Sequence, residues 1–175
     1  MKLTRIRNRT QKDNYGITLV EVLIVVAILS IAVGMAGISV SLLYSRDSEH
    51  AAKTINTMLE KCRMNSLSRE GDFTFELDTE NAECVIMPDS DTEDLPARVT
   101  YSLESEGGYD FSSNKVIEIE FDKSTGKVSG LKADGVGVDI KNVNLIRMNA
   151  VNLSGKRASV VLIVATGKHY VEYGS

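Results

Sequence analysis

One glutamate stands near the start of a long run of uncharged residues. Between Ile17 and Ser45, Glu21 is the only charged side chain, and the 24 residues from 22 to 45 carry no charge. A helix needs about 20 apolar residues to cross the hydrocarbon layer of a membrane. Because acids are rare inside spanning helices, an acid here predicts a functional site with a partner of opposite charge. Residues 17–45 are therefore predicted to form a transmembrane helix, and Glu21 is predicted to be a functional residue that pairs with an opposite charge.

The 16 residues before this run are basic. They contain five lysines and arginines against Asp13, a net charge of +4. Basic flanks stay in the cytoplasm, so a single pass is predicted, with the N-terminus inside and the bulk of the chain outside the inner membrane. Two simpler interpretations compete. One is an uncleaved signal anchor, and the other is a secretory signal peptide cleaved after Ala36, although such peptides usually have only about 7 to 15 apolar residues.

The stretch Gly16-Ile17-Thr18-Leu19-Val20-Glu21 resembles the N-terminal signal of type IV pilins and type II secretion pseudopilins. In that signal a basic leader ends in glycine, and glutamate is the fifth residue after it. The resemblance implies that a prepilin peptidase removes residues 1–16, cutting between Gly16 and Ile17, and that the new amine of Ile17 is methylated. It also implies that Glu21 pairs with the Ile17 ammonium of a neighbouring subunit in a filament. Family members more often have phenylalanine at the position of Ile17.

The same resemblance implies a set of partners. These are other pilin or pseudopilin subunits, prepilin peptidase, an assembly platform in the membrane, and membrane lipid before assembly. It implies no cofactor. The protein would begin in the cytoplasmic membrane and end in a periplasmic or cell-surface filament.

Helical periodicity continues beyond the uncharged run. Small and apolar residues at spacings of three and four form a stripe: Ala51, Ala52, Ile55, Met58, Leu59, Cys62 and Ser66. Charged residues fill the other faces, as in an amphipathic helix that packs on a core. Gly71 suits the left-handed position after a helix C-terminus. Residues 46–70 are therefore predicted to be an amphipathic helix, continuous with the first from about Ile17 to Arg69.

After Gly71 the period changes to two, which is typical of half-buried strands. Alternating apolar residues predict strands at 73–77, 99–103, 117–121 and 136–140, and a terminal hairpin joins 158–164 to 169–173. The predicted fold class is α+β, with the long N-terminal helix packed against an antiparallel β-sheet. Residues 71–175 would be the extracytoplasmic globular domain. This order of elements, one helix followed only by strands, is similar to that of H-type pseudopilins. The lack of proline between Ile17 and Gly71 favours a minor subunit.

Charge is unevenly distributed along this domain. Residues 70–122 hold 16 acidic residues against two basic ones, whereas residues 141–175 hold five basic residues against Glu172. Solubility alone explains such a distribution. The alternative is that acidic and basic faces meet between stacked subunits. The five basic residues also suggest a DNA-binding patch, which the acidic middle of the chain disfavours: Lys141, Arg147, Lys156, Arg157 and Lys168.

The sequence does not predict an enzyme. The chain has two histidines, His50 and His169, and lacks the common nucleophile, paired-histidine and phosphate-loop motifs. Both histidines are predicted to lie on the surface.

Cys62 and Cys84 are the chain's two cysteines. The predicted location outside the cytoplasm permits a disulfide between them. Free cysteine also behaves as a small buried apolar residue, so the sequence leaves both states open.

An acidic segment lies between Pro88 and Pro96 and is predicted to be an exposed loop. Its carboxylates are two apart or adjacent and make a weak calcium candidate: Asp89, Asp91, Glu93 and Asp94. The segment lacks the glycine and the distant glutamate of an EF-hand. No other metal site is predicted.

Together these features predict a structural subunit of a type IV pilus or a type II secretion pseudopilus, and a minor one. A minor pilin that binds DNA during competence is the alternative within the family. A plain membrane-anchored extracytoplasmic binding module is the alternative outside it.

Overall fold

A computed structural model describes residues 18–174, and it describes their side chains except those of residues 35–45. The chain falls into two compact units, residues 1–39 and residues 40–175. The described part of the first unit is helical from residue 19 onward. The second unit contains helix and all the strands.

The predicted continuous helix is present as α1, Leu19–Ser68. It ends where Gly71, with φ of 126°, turns the chain into the first strand. Such a positive φ is accessible to glycine without steric cost, which explains the end of the helix here. The predicted helix ran from about Ile17 to Arg69. The observed bounds of α1 differ from these by two residues at the start and one at the end, so the prediction is confirmed over the described residues.

Ten strands follow α1. Their bounds are β1 Thr74–Asp78, β2 Glu83–Met87, β3 Asp91–Asp94, β4 Val99–Gly107, β5 Val116–Phe121, β6 Val128–Ala133, β7 Val136–Gly137, β8 Val143–Asn152, β9 Arg157–Ile163 and β10 Lys168–Tyr173. A short 3-10 helix, Ile140–Asn142, lies between β7 and β8.

The strands form two antiparallel sheets where one was predicted. The six-stranded sheet has the order β3-β2-β1-β5-β6-β7, and the four-stranded sheet has the order β10-β9-β8-β4. The terminal hairpin is confirmed as β9 and β10, in which Ile163 pairs with Lys168 and Ala158 pairs with Tyr173. Alternation along a strand shows which residues share a face but does not show which strands become neighbours, so the second sheet could not be read from the pattern.

The core lies where α1 meets the inner faces of the two sheets. All seven residues of the predicted stripe are buried. Five of them, Ala52, Ile55, Met58, Leu59 and Cys62, share a core with alternating residues of both sheets, including Phe75 and Ile119 of the six-stranded sheet and Val160 and Leu162 of the four-stranded sheet. The helical period of 3.6 and the strand period of 2 therefore place apolar residues against one another, as expected for an α+β fold.

Two local predictions are wrong. The segment between Pro88 and Pro96 is not simply a loop, because it contains β3, whose residues Asp91–Asp94 pair with β2. The strand predicted at 136–140 is reduced to the two residues of β7, and Val136 is exposed. Asp139 instead caps the 3-10 helix by accepting a hydrogen bond from the backbone N–H of Lys141. Such local side-chain acceptors compete with strand pairing.

Candidate functional site

Glu21 lies in the first turn of α1. The backbone N–H of Glu21 donates a 3.2 Å hydrogen bond to Oγ1 of Thr18, the residue before the helix. Thr18 therefore acts as the N-cap, and Glu21 stands at the third helical position. A negative charge there interacts favourably with the N-terminal end of the helix dipole. The spacing Thr-x-x-Glu is a sequence signature of such a helix start, and this signal could have identified Thr18 as well as Glu21.

The surface around Glu21 is apolar and exposed. Val22, Val25 and Val26 line a shallow groove with Glu21. From Leu19 to Val33, eleven large aliphatic side chains are each at least 50 % exposed. A helix that is apolar on all sides is stable when another apolar surface surrounds it. This end of the chain can therefore offer one carboxylate, within an apolar surface, to a cation on a partner.

Gly16 and Ile17, the predicted cleavage and methylation sites, lie outside the described residues, as does the leader 1–16. Among the residues whose side chains the structure describes, no helix is both long and apolar enough to cross a membrane.

Both cysteines are buried free thiols, the second of the two states that the sequence left open. Cys62 lies on the buried stripe of α1 and Cys84 in β2. Burial raises the pKa of each thiol to about 12. Because the thiolate is the reactive form, both groups are chemically inert in the folded chain.

Two of the four carboxylates of the calcium candidate form ion pairs with basic side chains in or just after α1. Asp91 forms an ion pair with Lys61. Asp89 does so with Arg69, which follows the end of the helix. Within the described part of the chain, no group of three or more potential ligands is arranged to hold a metal. The structure therefore uses this acidic segment to hold β3 against the helix.

The two histidines differ in solvent exposure. His50 is exposed on α1, as predicted. The prediction is wrong for His169, whose side chain is only 3 % exposed. Its Nε2 lies 3.2 Å from a carboxylate oxygen of Glu60, and its Nδ1 lies 3.2 Å from the carbonyl oxygen of Gly167. The hairpin places this ring against α1, a contact that local sequence does not reveal.

The five basic residues suggested as a DNA patch are dispersed and partly neutralised. Lys141 lies in the 3-10 helix, Lys156 immediately precedes β9, and Lys168 is the first residue of β10. Arg147 and Arg157 lie on β8 and β9, where they pair with Glu172 and Glu104, respectively. Carboxylates beside the arginines repel phosphate, so this arrangement does not favour nucleic acid.

A family model described as the prokaryotic N-terminal methylation motif matches residues 11–37. The matched segment contains Gly16, Ile17 and Glu21, the three residues on which the predicted processing and assembly depend. No curated protein and no solved structure matches the chain. The chain therefore carries, at its N-terminus, the methylation signal of type IV pilins and pseudopilins.

Proposed function

We propose that the protein is a structural subunit, of the minor kind, in a type IV pilus or a type II secretion pseudopilus. Prepilin peptidase removes residues 1–16, and the new amine of Ile17 is methylated. The subunit then enters the filament through the apolar part of α1. In this proposal the chain is a structural part and not a catalyst.

One observation carries the proposal. A single carboxylate, Glu21, lies in the first turn of a helix whose apolar side chains from Leu19 to Val33 are exposed. Four residues earlier in the sequence is Ile17, the residue that becomes the N-terminus once the leader is removed. A filament core of packed helices covers the apolar side chains, and it brings each Glu21 to the ammonium of a neighbour.

The charge pair sets the axial register of the subunits. Buried ion pairs contribute little net stability, but removal of one partner leaves an uncompensated buried charge that costs about 3–5 kcal/mol. Subunits that align Glu21 with the neighbouring ammonium are therefore strongly favoured over subunits displaced along the filament axis.

Before assembly, the subunit is held in the cytoplasmic membrane with its N-terminus inside. The uncharged sequence from 22 to 45 and the +4 charge of the leader support this location. The partners in this proposal are prepilin peptidase, the membrane assembly platform and other pilin-type subunits. The minor role is supported by the absence of proline between Ile17 and Gly71.

Replacement of Glu21 tests the proposal. In cells that assemble the filament, Glu21→Ala and Glu21→Gln should each reduce incorporation on the order of a hundredfold, because either change leaves the neighbour's ammonium unpaired. The matched control is Glu49→Ala, which removes an exposed carboxylate from the same helix. Membrane insertion of all three variants should equal that of the wild type.

Mass spectrometry of the protein from the same cells provides the second measurement. The proposal requires a chain that begins at Ile17 and carries one added methyl group. An intact first residue, or a chain cut after Ala36, would contradict it. So would normal filament incorporation of Glu21→Ala.

A further inference from the structure

The four-stranded sheet packs on α1 close to the end of the uncharged run. Ala51 of α1 forms a small buried cluster with Val99 of β4 and Ala150 of β8. Ser48, about one turn earlier in the helix, is only 1 % exposed. Ser45, the last residue of the uncharged run, precedes Ser48 by three residues, which is about 4.5 Å of helix. The folded domain therefore covers α1 almost to the end of the run.

A second contact gives the direction of β8 relative to α1. Glu60 lies against His169 of β10, and the strand registers place His169 level with Ile146 of β8. The helix from Ala51 to Glu60 measures about 14 Å at 1.5 Å per residue. The strand from Ala150 back to Ile146 measures about 13 Å at 3.3 Å per residue. Because the two lengths agree, β8 runs antiparallel to α1 and approaches the uncharged run.

The loop between β8 and β9, residues 153–156, continues in this direction. Leu153 is the third residue after Ala150, and three residues of extended chain reach about 10 Å. Ser45 precedes Ala51 by six residues, about 9 Å of helix. Leu153 therefore lies at the level where the uncharged run ends.

The β8–β9 loop holds Leu153 out in solvent. This side chain is 71 % exposed, more than any other large apolar side chain described between residues 46 and 174. Oδ1 of the buried Asn152 accepts hydrogen bonds of 2.9 and 3.0 Å from the backbone N–H groups of Ser154 and Lys156. The backbone N–H of Gly155 donates a 2.9 Å hydrogen bond to the carbonyl oxygen of Asn152. These bonds close the loop in a conformation that leaves Leu153 uncovered.

Two basic residues lie beside this leucine. Lys156 belongs to the same loop, and Arg98 directly precedes β4, whose first residue pairs with the last residue of β8. On α1, Arg46 directly follows the run, and the acidic residues Asp47 and Glu49 come next. Lysine and arginine suit the border between water and lipid, because their methylene groups lie on apolar surface while their charged ends meet phosphate. The loop thus has an apolar tip with cations next to it.

We propose that the β8–β9 loop rests on the surface of the membrane that holds the uncharged run. Leu153 inserts between lipid headgroups, and Lys156 and Arg98 lie among the phosphates. The inference rests on the proposed function for the membrane location of the run, whose end marks the lipid surface. Because the helix keeps the loop at that surface, a contact that is weak by itself forms at high effective concentration. This contact fixes the orientation of the domain until the subunit enters a filament.

A fluorescent probe in the loop tests the inference. The full-length chain with Ser154→Cys is labelled with a nitrobenzoxadiazole probe while Cys62 and Cys84 stay buried, and it is reconstituted in vesicles of phosphatidylcholine and phosphatidylglycerol. Phosphatidylcholine that carries a spin label near the headgroup end of its acyl chain should quench this probe at least about twofold. The control is the same probe on Met64→Cys, about 28 Å along α1 from Ser45, which should not be quenched.

Replacement of the leucine shows whether Leu153 causes the contact. Leu153→Asp, combined with the probe at residue 154, should reduce the quenching to that of the control probe, because a carboxylate favours water over lipid. Leu153→Met keeps an apolar side chain and should retain the quenching. Both variants should keep the circular dichroism spectrum of the wild type, because the side chain is exposed. Unchanged quenching in Leu153→Asp, or equal quenching of the loop probe and the control probe, would overturn the inference.

Flotation of the same vesicles separates this inference from the proposed function. A chain that does not float with the vesicles would contradict the membrane location in the proposed function and the inference with it. A chain that floats while the loop probe stays unquenched would overturn the inference alone. Glu21→Ala should float and show full quenching, because the contact precedes assembly. Loss of quenching in Glu21→Ala would show that the probe reports contact between subunits, which would overturn the inference.

Discussion

Nε2 of His169, in the last strand, lies 3.2 Å from a carboxylate oxygen of Glu60, in the helix. This contact joins the C-terminal hairpin to α1 across about 110 residues of chain. The neighbouring Arg63 donates a 3.0 Å hydrogen bond from Nε to the carbonyl oxygen of Gly126. The helix thus forms polar contacts with the last strand and with the loop between β5 and β6, in addition to the contacts of its buried apolar stripe.

Replacement of His169 by alanine should destabilise the fold. The ring is almost fully buried, and its loss removes both the packing and the contact with Glu60, so the free energy of unfolding should fall by about 1–3 kcal/mol. Thermal unfolding of the full chain in detergent micelles, followed by circular dichroism, measures the change. His50→Ala is the matched control, and it should change stability by less than about 0.5 kcal/mol because His50 is exposed. Equal effects of the two substitutions would contradict the structural difference between the histidines.

Gly167 occupies a position in the terminal hairpin that a larger residue cannot share. Its φ is 67°, and a Cβ atom there would overlap the carbonyl oxygen of Gly126. Gly167→Ala should therefore lower the free energy of unfolding for two reasons. The left-handed backbone costs about 1–2 kcal/mol with a Cβ atom, and the steric overlap costs about 1–3 kcal/mol more. The same unfolding measurement tests this prediction.

Gly155 provides the control for the backbone contribution. Its φ is 80°, but the space around its Cβ position is open. Gly155→Ala should show the backbone cost alone, about 1–2 kcal/mol. If both alanine variants lose the same stability, the close approach of Gly167 to Gly126 does not affect folding.

The local sequence pattern predicts some of these elements and not others. The stripe from Ala51 to Ser66 was predictable because helical periodicity depends on the chain itself and not on its partner. The α+β class followed from the change of period at Gly71. The division into two sheets, the burial of His169 and the pairing of Asp91 with Lys61 depend on segments distant in sequence, and no local pattern contains that information.

The candidate site, too, was predictable from the sequence only in part. Glu21 stood out because a charge inside an apolar run is costly. The structure places it in the first turn of α1, and its role in assembly stays a prediction. The ion pairs of Arg147 with Glu172 and of Arg157 with Glu104 were not predictable, because they join residues of strands that come together only in the four-stranded sheet. The sequence showed an excess of basic residues after residue 140 without showing that two of them pair with carboxylates of other strands.

Asp122 should make stability depend on pH at the acidic end of the range. Hydrogen bonds from the side chains of Thr125 and Ser124, and then from the backbone N–H of Thr125, lower the pKa of Asp122 from 3.8 to about 2. A carboxyl group whose pKa is lower in the folded state stabilises the fold above the pKa of the unfolded state, about 3.9. That contribution is lost as pH falls through the folded value of about 2.

Asp122→Ala should therefore unfold more easily than the wild type at pH 7, and the difference should narrow as pH falls from about 4 to about 2. Chemical denaturation at several pH values measures it. Glu70→Ala, which removes an exposed carboxylate, is the control and should follow the wild type throughout. A difference between Asp122→Ala and the wild type that stays constant down to pH 2 would show that the side-chain hydrogen bonds do not depend on the charge of Asp122.

Cys62 and Cys84 should resist thiol reagents until the chain unfolds. Both side chains are fully buried, and burial raises the pKa of each thiol to about 12, so access and thiolate formation are both suppressed at neutral pH. Alkylation of the unreduced full chain, followed by mass spectrometry, should find no modification in the native state and two modified cysteines in denaturant. A chain that takes up no reagent in denaturant, but takes up two equivalents after reduction, would show that the two cysteines form a disulfide. That result would contradict the structure, in which both cysteines are free thiols in the apolar core between α1 and the sheets.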